Sequence, residues 1–262
     1  MDLQLTGKRV LVTGASRGIG LAIVRAFRDE GASVVAAARR STPELDATGA
    51  EFVAADLATP HGPQELVDAA LAADPRLDVL VNNVGGGDRV GNLVFGETTD
   101  EEWHEALELN LMAPVRITRA ALPALRASRG AVVSVSSDSA LTPRQGAVGT
   151  PIAYPTAKAA LNATMKALSV EEGAQGVRVN TISPGATRTS LWDGEVGAAF
   201  AAAAGVSRED LLAALPAQAG LITGRWITPE EIAASVVFLA SPLSASTIGA
   251  NVLVDAGAKR AL

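Results

Sequence analysis

The chain has 262 residues, enough to bury a full core in one large α/β domain or in two small ones. It is 48% hydrophobic but only 3% aromatic, so its interior must be built from Ala, Val, Leu and Ile, the stock of buried parallel strands and close-packed helices. A formal net charge of -6 without a basic stripe argues against nucleic-acid binding, the lack of cysteine excludes disulfides and thiolate chemistry, and two separated histidines, His61 and His104, argue against a metal site.

Val10-Leu11-Val12 is a short apolar run that leads into Thr13-Gly14-Ala15-Ser16-Arg17-Gly18-Ile19-Gly20, after which Leu21, Ile23, Val24 and Phe27 recur with helical spacing. This order predicts strand, glycine turn and helix. Gly14 can take positive φ at the turn, Gly18 lets the backbone approach a pyrophosphate, and Gly20 lets helix and strand pack closely. The helix N-terminus then offers free N–H groups to phosphates, and Ser16, Arg17 and Ile19 join the three glycines as cofactor-binding candidates. Ser33 to Ala38 reads as the second strand and is followed by Arg39-Arg40. A carboxylate near this position binds the ribose 2'-hydroxyl of NAD, whereas an arginine accommodates a 2'-phosphate. Arg39 stands there and Arg17 can reach the same phosphate, so NADP(H) is expected over NAD(H).

Glu51 to Ala55 predicts a third strand ending at Asp56-Leu57, where Asp56 can accept from an adenine amino group or cap the next turn. A helix through Leu66 and Leu71 follows, then a fourth strand from Leu77 to Val81, which stops at Asn82-Asn83-Val84-Gly85. Paired asparagines at a strand end can tie neighbouring backbones beneath a cofactor. From Gly85 to Gly96 five glycines indicate a loop, and Thr99 opens a helix with an acidic first turn. That helix should run through Asn110, Val115, Ile117 and Leu122, but Pro114 interrupts it. Proline has no N–H, so the Asn110 carbonyl four residues earlier loses its helical partner, a place that a water would fill.

Ala131 to Ser137 predicts the fifth strand, with hydroxyls gathered at its end. A long loop from Asp138 to Ile152 delivers the chain to Tyr154-Pro155-Thr156-Ala157-Lys158. Tyr154 is the only tyrosine, and it lies one helical turn before one of four lysines. A nearby cation favours phenolate over phenol and brings tyrosine into proton-exchange range. The sixth strand, Val177 to Ile182, ends in a turn from Ser183 to Thr189. From Ser190 to Thr228 the strand–helix rhythm stops, and Trp192, Phe200 and Trp226 suggest a helical lid over an apolar pocket or a packing elaboration. Pro229 opens the last helix and Ala250 to Val254 the seventh strand. The expectation is an α/β fold: one doubly wound, Rossmann-like domain over residues 1–262 with about seven parallel strands and a lid near 186–228. Met1 to Leu5 lacks signal-peptide character and no apolar run is long enough for a membrane span, so a cytoplasmic, membrane-free protein is expected.

TGASRGIG at 13–20, NNVG at 82–85, Asn110, Ser137, Tyr154-x-x-x-Lys158 and PGATRT at 184–189 together resemble the short-chain dehydrogenase/reductase (SDR) family, in matching order across nearly the whole chain. The resemblance implies a nicotinamide cofactor and a homotetramer or homodimer. It implies that Ser137 polarises a substrate carbonyl, with Ser136 as the neighbouring alternative, and that Tyr154 exchanges a proton with its oxygen. Lys158 would lower the tyrosine pKa and bind the nicotinamide ribose, and Asn110 would hold a relay water. Pro184, Gly185, Thr187 and Thr189 would cradle the nicotinamide end, and Asn83, Gly85, Asp56 and Leu57 would complete the cofactor contacts. Val84 replaces the alanine of the family's NNAG, and the stretch from Ser137 to Tyr154 is longer than in many members. The implied function is NADP(H)-dependent hydride transfer between nicotinamide and a carbonyl or secondary alcohol, with an apolar or natural-product-like small molecule as substrate. A 3-oxoacyl-carrier-protein reductase is the alternative enzyme, with Arg126 and Arg129 as candidates to meet an acidic carrier. A catalytically silent nucleotide sensor is the alternative of another class, whose mark would be a broken Asn/Ser/Tyr/Lys set.

Overall fold

A computed structural model describes residues 1–86, 95–142 and 152–259. Its strands are β1 (Arg9–Thr13), β2 (Ser33–Ala38), β3 (Glu51–Ala54), β4 (Val79–Asn82), β5 (Ala131–Val135), β6 (Arg178–Pro184) and β7 (Asn251–Val254). They form one sheet in the order β3-β2-β1-β4-β5-β6-β7, and every pair is parallel. The helices are α1 (Gly18–Asp29), α2 (Pro43–Asp46), α3 (Gly62–Leu71), α4 (Asp100–Leu107), α5 (Ala113–Ser128), α6 (Ala153–Gly173), α7 (Glu195–Ala204), α8 (Arg208–Gln218) and α9 (Pro229–Ala240).

Burial on both faces explains the unbroken apolar strands. Along β1, Val10 and Val12 join a core with Ile23 and Phe27 of α1 and Val236 of α9, while Leu11 points into a second core with Leu66 of α3, Ile117 of α5 and Leu161 of α6. The chain builds β1, β2 and β3 outward in one direction and then returns to place β4 on the other side of β1. Loops leaving β1 and β4 therefore diverge at their carboxyl ends, which opens a crevice where the order reverses. Gly14 follows β1 and Asn83 follows β4, so the crevice has these two residues for its floor.

Several boundaries differ from the sequence reading. The fourth strand starts at Val79, not Leu77, because the Asp78 carboxylate is drawn to Arg9 N–H at 2.8 Å and to Arg76 at 2.8 Å. The fifth ends at Val135, since Ser137 turns away to cap a short 3-10 turn, Asp138–Ala140. The interrupted helix is α4, a π turn over Glu108–Met112, and α5. The Ala113 N–H bonds the Glu108 carbonyl five residues back, and Pro114 sits in the first turn of α5, where its lack of an N–H does least harm. Residues 87–94 of the glycine loop and 143–151 of the loop before Tyr154 lie outside the described residues.

Between β6 and α9 the chain makes a self-packed excursion. Phe200, Ala201 and Leu211 form a small core with Trp192, Val196 and Leu215, separate from the two sheet-facing cores. Trp192 lies 5.5 Å from Phe200 and 5.3 Å from Trp226, centroid to centroid. Both indoles also donate a hydrogen bond, Trp192 to the Thr187 carbonyl at 3.1 Å and Trp226 to the Leu212 carbonyl at 2.9 Å. The two ends of the excursion meet where Thr187 bridges Ile227 and Arg188 N–H donates to the Ile227 carbonyl at 2.8 Å.

Candidate active site

The glycine turn adopts the conformation its sequence predicts. Gly14 and Gly18 have φ of 65° and 56°. A Cβ on Gly20 would lie 2.2 Å from the Gly14 carbonyl oxygen, so only glycine lets α1 come this close to β1. At the entrance to α1, Arg17 is extended, no side chain caps the helix, and its first turn holds no acidic residue. By contrast, Thr99 with Glu102 and Thr228 with Glu231 form complete capping boxes at α4 and α9. The uncapped N–H groups and the glycine backbone fit a diphosphate. Opposite this turn, the Thr189 methyl would be 3.2 Å from a Cβ on Gly18, which sets the turn after β6 across from the glycines. Within that second turn Pro184 is buried at the end of β6, Gly185 N–H bonds the Val254 carbonyl at 3.0 Å, and the Thr187 hydroxyl donates to the Gly185 carbonyl at 3.0 Å.

Two bonds draw the end of β2 to the glycine turn: Ala15 N–H to the Ala37 carbonyl at 3.0 Å, and the Thr42 hydroxyl to the Ser16 carbonyl at 3.0 Å. Arg17 and Arg39 each lie two residues or fewer from one of these ties, and both are exposed. The Asn83 amide nitrogen donates to the Thr13 and Gly14 carbonyls at 2.9 and 3.1 Å, and its backbone N–H donates to the Thr13 hydroxyl at 3.0 Å, so the residue braces the turn. Asn82 reaches Thr118 at 2.9 Å and Ser134 at 3.3 Å, tying β4 to α5 and β5 as the paired asparagines suggested. Asp56 caps its own turn, accepting from Ala58 N–H at 3.1 Å. Leu57 and Ile19 turn their side chains toward the apolar cores.

Tyr154 is the second residue of α6, and Lys158 follows one turn later with its Nζ 5.9 Å from the Tyr154 ring centroid. Lys158 is only 2% exposed, and its ammonium donates to the Val135 carbonyl at 2.9 Å. Burial pushes its pKa down from 10.5 to about 8. The Asn110 side chain, fully buried in the π turn, clamps Gly86 from both sides: Gly86 N–H donates to Oδ1 at 3.0 Å and Nδ2 donates to the Gly86 carbonyl at 3.1 Å. A Cβ on Gly85 would fall 2.8 Å from Lys158 Nζ and 2.9 Å from Asn110 Oδ1. Asn110 and Lys158 therefore converge on one glycine, with the Tyr154 ring beside the lysine.

The two serines separate cleanly. Ser136 is buried and donates to the Lys158 carbonyl at 3.3 Å, so it serves to dock α6 on the sheet. Ser137 is half-buried, two residues beyond the carbonyl that holds Lys158, and its hydroxyl shares a 2.8 Å hydrogen bond with Ser139. The geometry favours Ser137 as the hydroxyl available to a ligand. The Val135 carbonyl and the Gly86 backbone are site members that sequence reasoning missed, since a main-chain group has no residue type to signal it.

Residues 14–259 match the family described as enoyl-(acyl carrier protein) reductase, a branch of the short-chain dehydrogenases/reductases. The chain belongs to the SDR family. The L-fucose dehydrogenase of Bos taurus is 38% identical to it, over 99% of this chain and 92% of that relative. A D-threitol dehydrogenase of Mycolicibacterium smegmatis is 35% identical over 98% of this chain and 94% of that one. Among solved structures, L-sorbose reductase from Gluconobacter frateurii, complexed with NADPH and L-sorbose, superposes with a TM-score of 0.89 at 33% identity and covers 100% of both chains. As an SDR the protein is an oxidoreductase of CH–OH and C=O groups, and the seven-stranded parallel sheet expected from its sequence is the one it has.

Proposed function

We propose that the chain is an NADP(H)-dependent reductase of a polyhydroxylated ketone or aldehyde, or the dehydrogenase of the matching alcohol. The observation that carries the reaction is the convergence of Asn110 and Lys158 on Gly85, with Tyr154 beside the lysine and an uncapped diphosphate cradle next to them. The nicotinamide, when bound, supplies or accepts the hydride. The chain does the rest. Ser137 donates a hydrogen bond to the substrate carbonyl oxygen, and Tyr154 passes a proton to the same oxygen as the hydride arrives at carbon. Lys158, held by the Val135 carbonyl, favours the phenolate and binds the nicotinamide ribose. Asn110 keeps Gly86 in place and orders the relay water.

Arg17 and Arg39, exposed beside the glycine turn and without ion pairs among the described residues, support NADP(H) over NAD(H), as does the NADPH of the sorbose reductase. The names of the relatives, built on fucose, threitol and sorbose, favour a polyhydroxylated substrate over the apolar or natural-product-like one expected from the sequence. A carrier-protein substrate has less support: Arg126 is held by Glu172 at 2.5 Å, and the Arg129 side chain lies over Gly176, both at the end of β5 remote from Ser137. A silent nucleotide sensor is disfavoured because the Asn/Ser/Tyr/Lys set is whole. We read the chain as one domain with 186–228 as a lid over the substrate. We also read it as a cytoplasmic homodimer or homotetramer, an assembly supported by the exposed Leu253 on edge strand β7 and by Phe238, Leu243 and Ile248 elsewhere on the surface. No described helix is long and apolar enough to cross a membrane.

The test is Tyr154→Phe, followed by NADPH oxidation over a panel of ketoses, polyols, apolar ketones and acyl thioesters. Turnover should fall by at least about 10²-fold, the scale of a lost general acid, with NADPH affinity kept. Turnover near wild type would remove Tyr154 as the proton donor, and preference for acyl thioesters would restore the carrier-protein reading.

A further inference from the structure

Residues 255–259, which follow β7, touch both sides of the site. Ala256 and Gly257 have φ of 50° and 76°, and these two left-handed residues turn the chain sharply. The Asp255 carboxylate fixes that turn, accepting from Gly257 N–H at 3.0 Å and from Lys259 N–H at 2.8 Å. On one side the Ile222 N–H donates to the Ala256 carbonyl at 2.9 Å, and a Cβ on Gly257 would lie 2.6 Å from Ile222 Cδ1. The turn is thus fitted against the root of the helical excursion. On the other side, Lys259 Nζ lies 3.4 Å from Asp138 Oδ2 and 3.5 Å from the Thr142 carbonyl, with only 6% of the lysine and 15% of the aspartate side chain exposed.

Asp138 directly follows Ser137 and is the first residue of the 3-10 turn that the Ser137 hydroxyl caps, by accepting from Ser139 N–H at 3.2 Å. Any movement of Asp138 therefore moves the hydroxyl that faces the substrate. A partly exposed ion pair is worth little as stabilisation, but this one is largely shielded and spans two segments far apart in sequence. We propose that Lys259 is a positioning residue for the reaction: its pairing with Asp138 sets the orientation of Ser137, and residues 255–257 tie that setting to the root of the proposed lid. One short strap then holds both walls of the substrate site in register. The inference rests on the role given above to Ser137.

Lys259→Met keeps the length of the side chain and removes its charge. With the best substrate of the panel, kcat should fall about tenfold, the effect of a small misplacement of a catalytic group, while NADPH affinity and melting temperature stay near wild type. Lys259→Arg should recover most of the loss, which lost bulk stability alone would not explain. Asp138→Asn should lower kcat by a similar factor, and the double variant should be no worse than either single one, since both remove the same interaction. Wild-type kcat in Lys259→Met, in an enzyme that Ser137→Ala inactivates, would overturn the strap and leave the reaction assignment standing; so would losses that multiply in the double variant. An active Ser137→Ala would overturn the serine assignment itself, and the strap with it. Should Lys259→Met fail to fold, Asp138→Asn reads the same pair from its other end, and wild-type kcat there is equally decisive against it.

Discussion

Lys158 occupies a place that an ammonium group ordinarily avoids, 2% exposed and held by one main-chain carbonyl. Burial lowers its pKa to about 8, whereas the unfolded chain keeps the ordinary 10.5. Between these values the unfolded state holds a proton that the folded state has released, so stability must rise with pH across that window. Below pH 8 the folded protein carries the full cost of the buried charge, about 3 kcal/mol at 1.36 kcal/mol per pKa unit. Urea unfolding of the cofactor-free wild type and of Lys158→Met at pH 7, 9 and 10.5 tests this: wild type should gain on the variant as pH rises, and a constant gap would show that Lys158 titrates normally. The pair Tyr154 and Lys158 was legible in the sequence because a lone tyrosine one turn from a scarce lysine has one obvious geometry on a helix. Asn110 was legible through the family resemblance and through Pro114, which pointed to its carbonyl; the bonds the structure shows are made by its side chain, to Gly86 and to the Ala106 carbonyl. The Val135 carbonyl was not legible at all, and neither was Lys259 beside Asp138, because nothing local links residues so distant in the chain.

The turn from Thr13 to Gly20 and the helix after it form the element most dependent on the absence of a side chain. At Gly20 a methyl group would stand 2.2 Å from the Gly14 carbonyl oxygen and 2.5 Å from the Asn83 amide nitrogen, distances that real contacts do not reach. Gly20→Ala must push α1 off β1 and deform the diphosphate cradle, so NADPH affinity should drop at least about tenfold and stability by about 1–3 kcal/mol, the usual range for overpacking. Gly173→Ala, at the end of α6 with open space around it, is the control and should be silent or slightly stabilising. Isothermal titration and thermal melts would separate the two, and a Gly20→Ala protein that binds NADPH normally would refute the close-packing argument. Most elements were readable because buried strands and amphipathic helices have different periods. The π turn was not, for a physical reason: Pro114 announces a break in the helix, but the extra residue that repairs it leaves no mark of its own in composition or spacing. The strand ends were similarly blurred where Asp78 and Ser137 leave the ladder to make side-chain bonds.

Across the whole molecule, the parallel order gathers every strand's carboxyl end along one edge, and the proposed cofactor cradle joins loops from β1, β2, β4 and β6. A ligand seated there holds distant parts of the sheet together, so it should raise the melting temperature of the entire chain. At a hundredfold excess over its dissociation constant the stabilisation is about 2.7 kcal/mol. At equal concentration NADPH should give the larger shift and NADH the smaller, and replacing Arg39 with Asp should reverse their order. Equal shifts would take the phosphate-binding role away from Arg17 and Arg39. The excursion between β6 and α9 stands apart from this arrangement, since Trp192, Phe200 and Leu211 pack on one another and not on either face of the sheet. At its root, however, the excursion is tied to the rest of the molecule: the Trp192 indole donates to the Thr187 carbonyl, and Leu221 and Ile227 enter the core shared with Ile23 and Val236. Changes on the outer faces of α7 and α8 can therefore spare the layers that fold the protein, whereas changes at Trp192 or Ile227 are felt at once in the turn after β6.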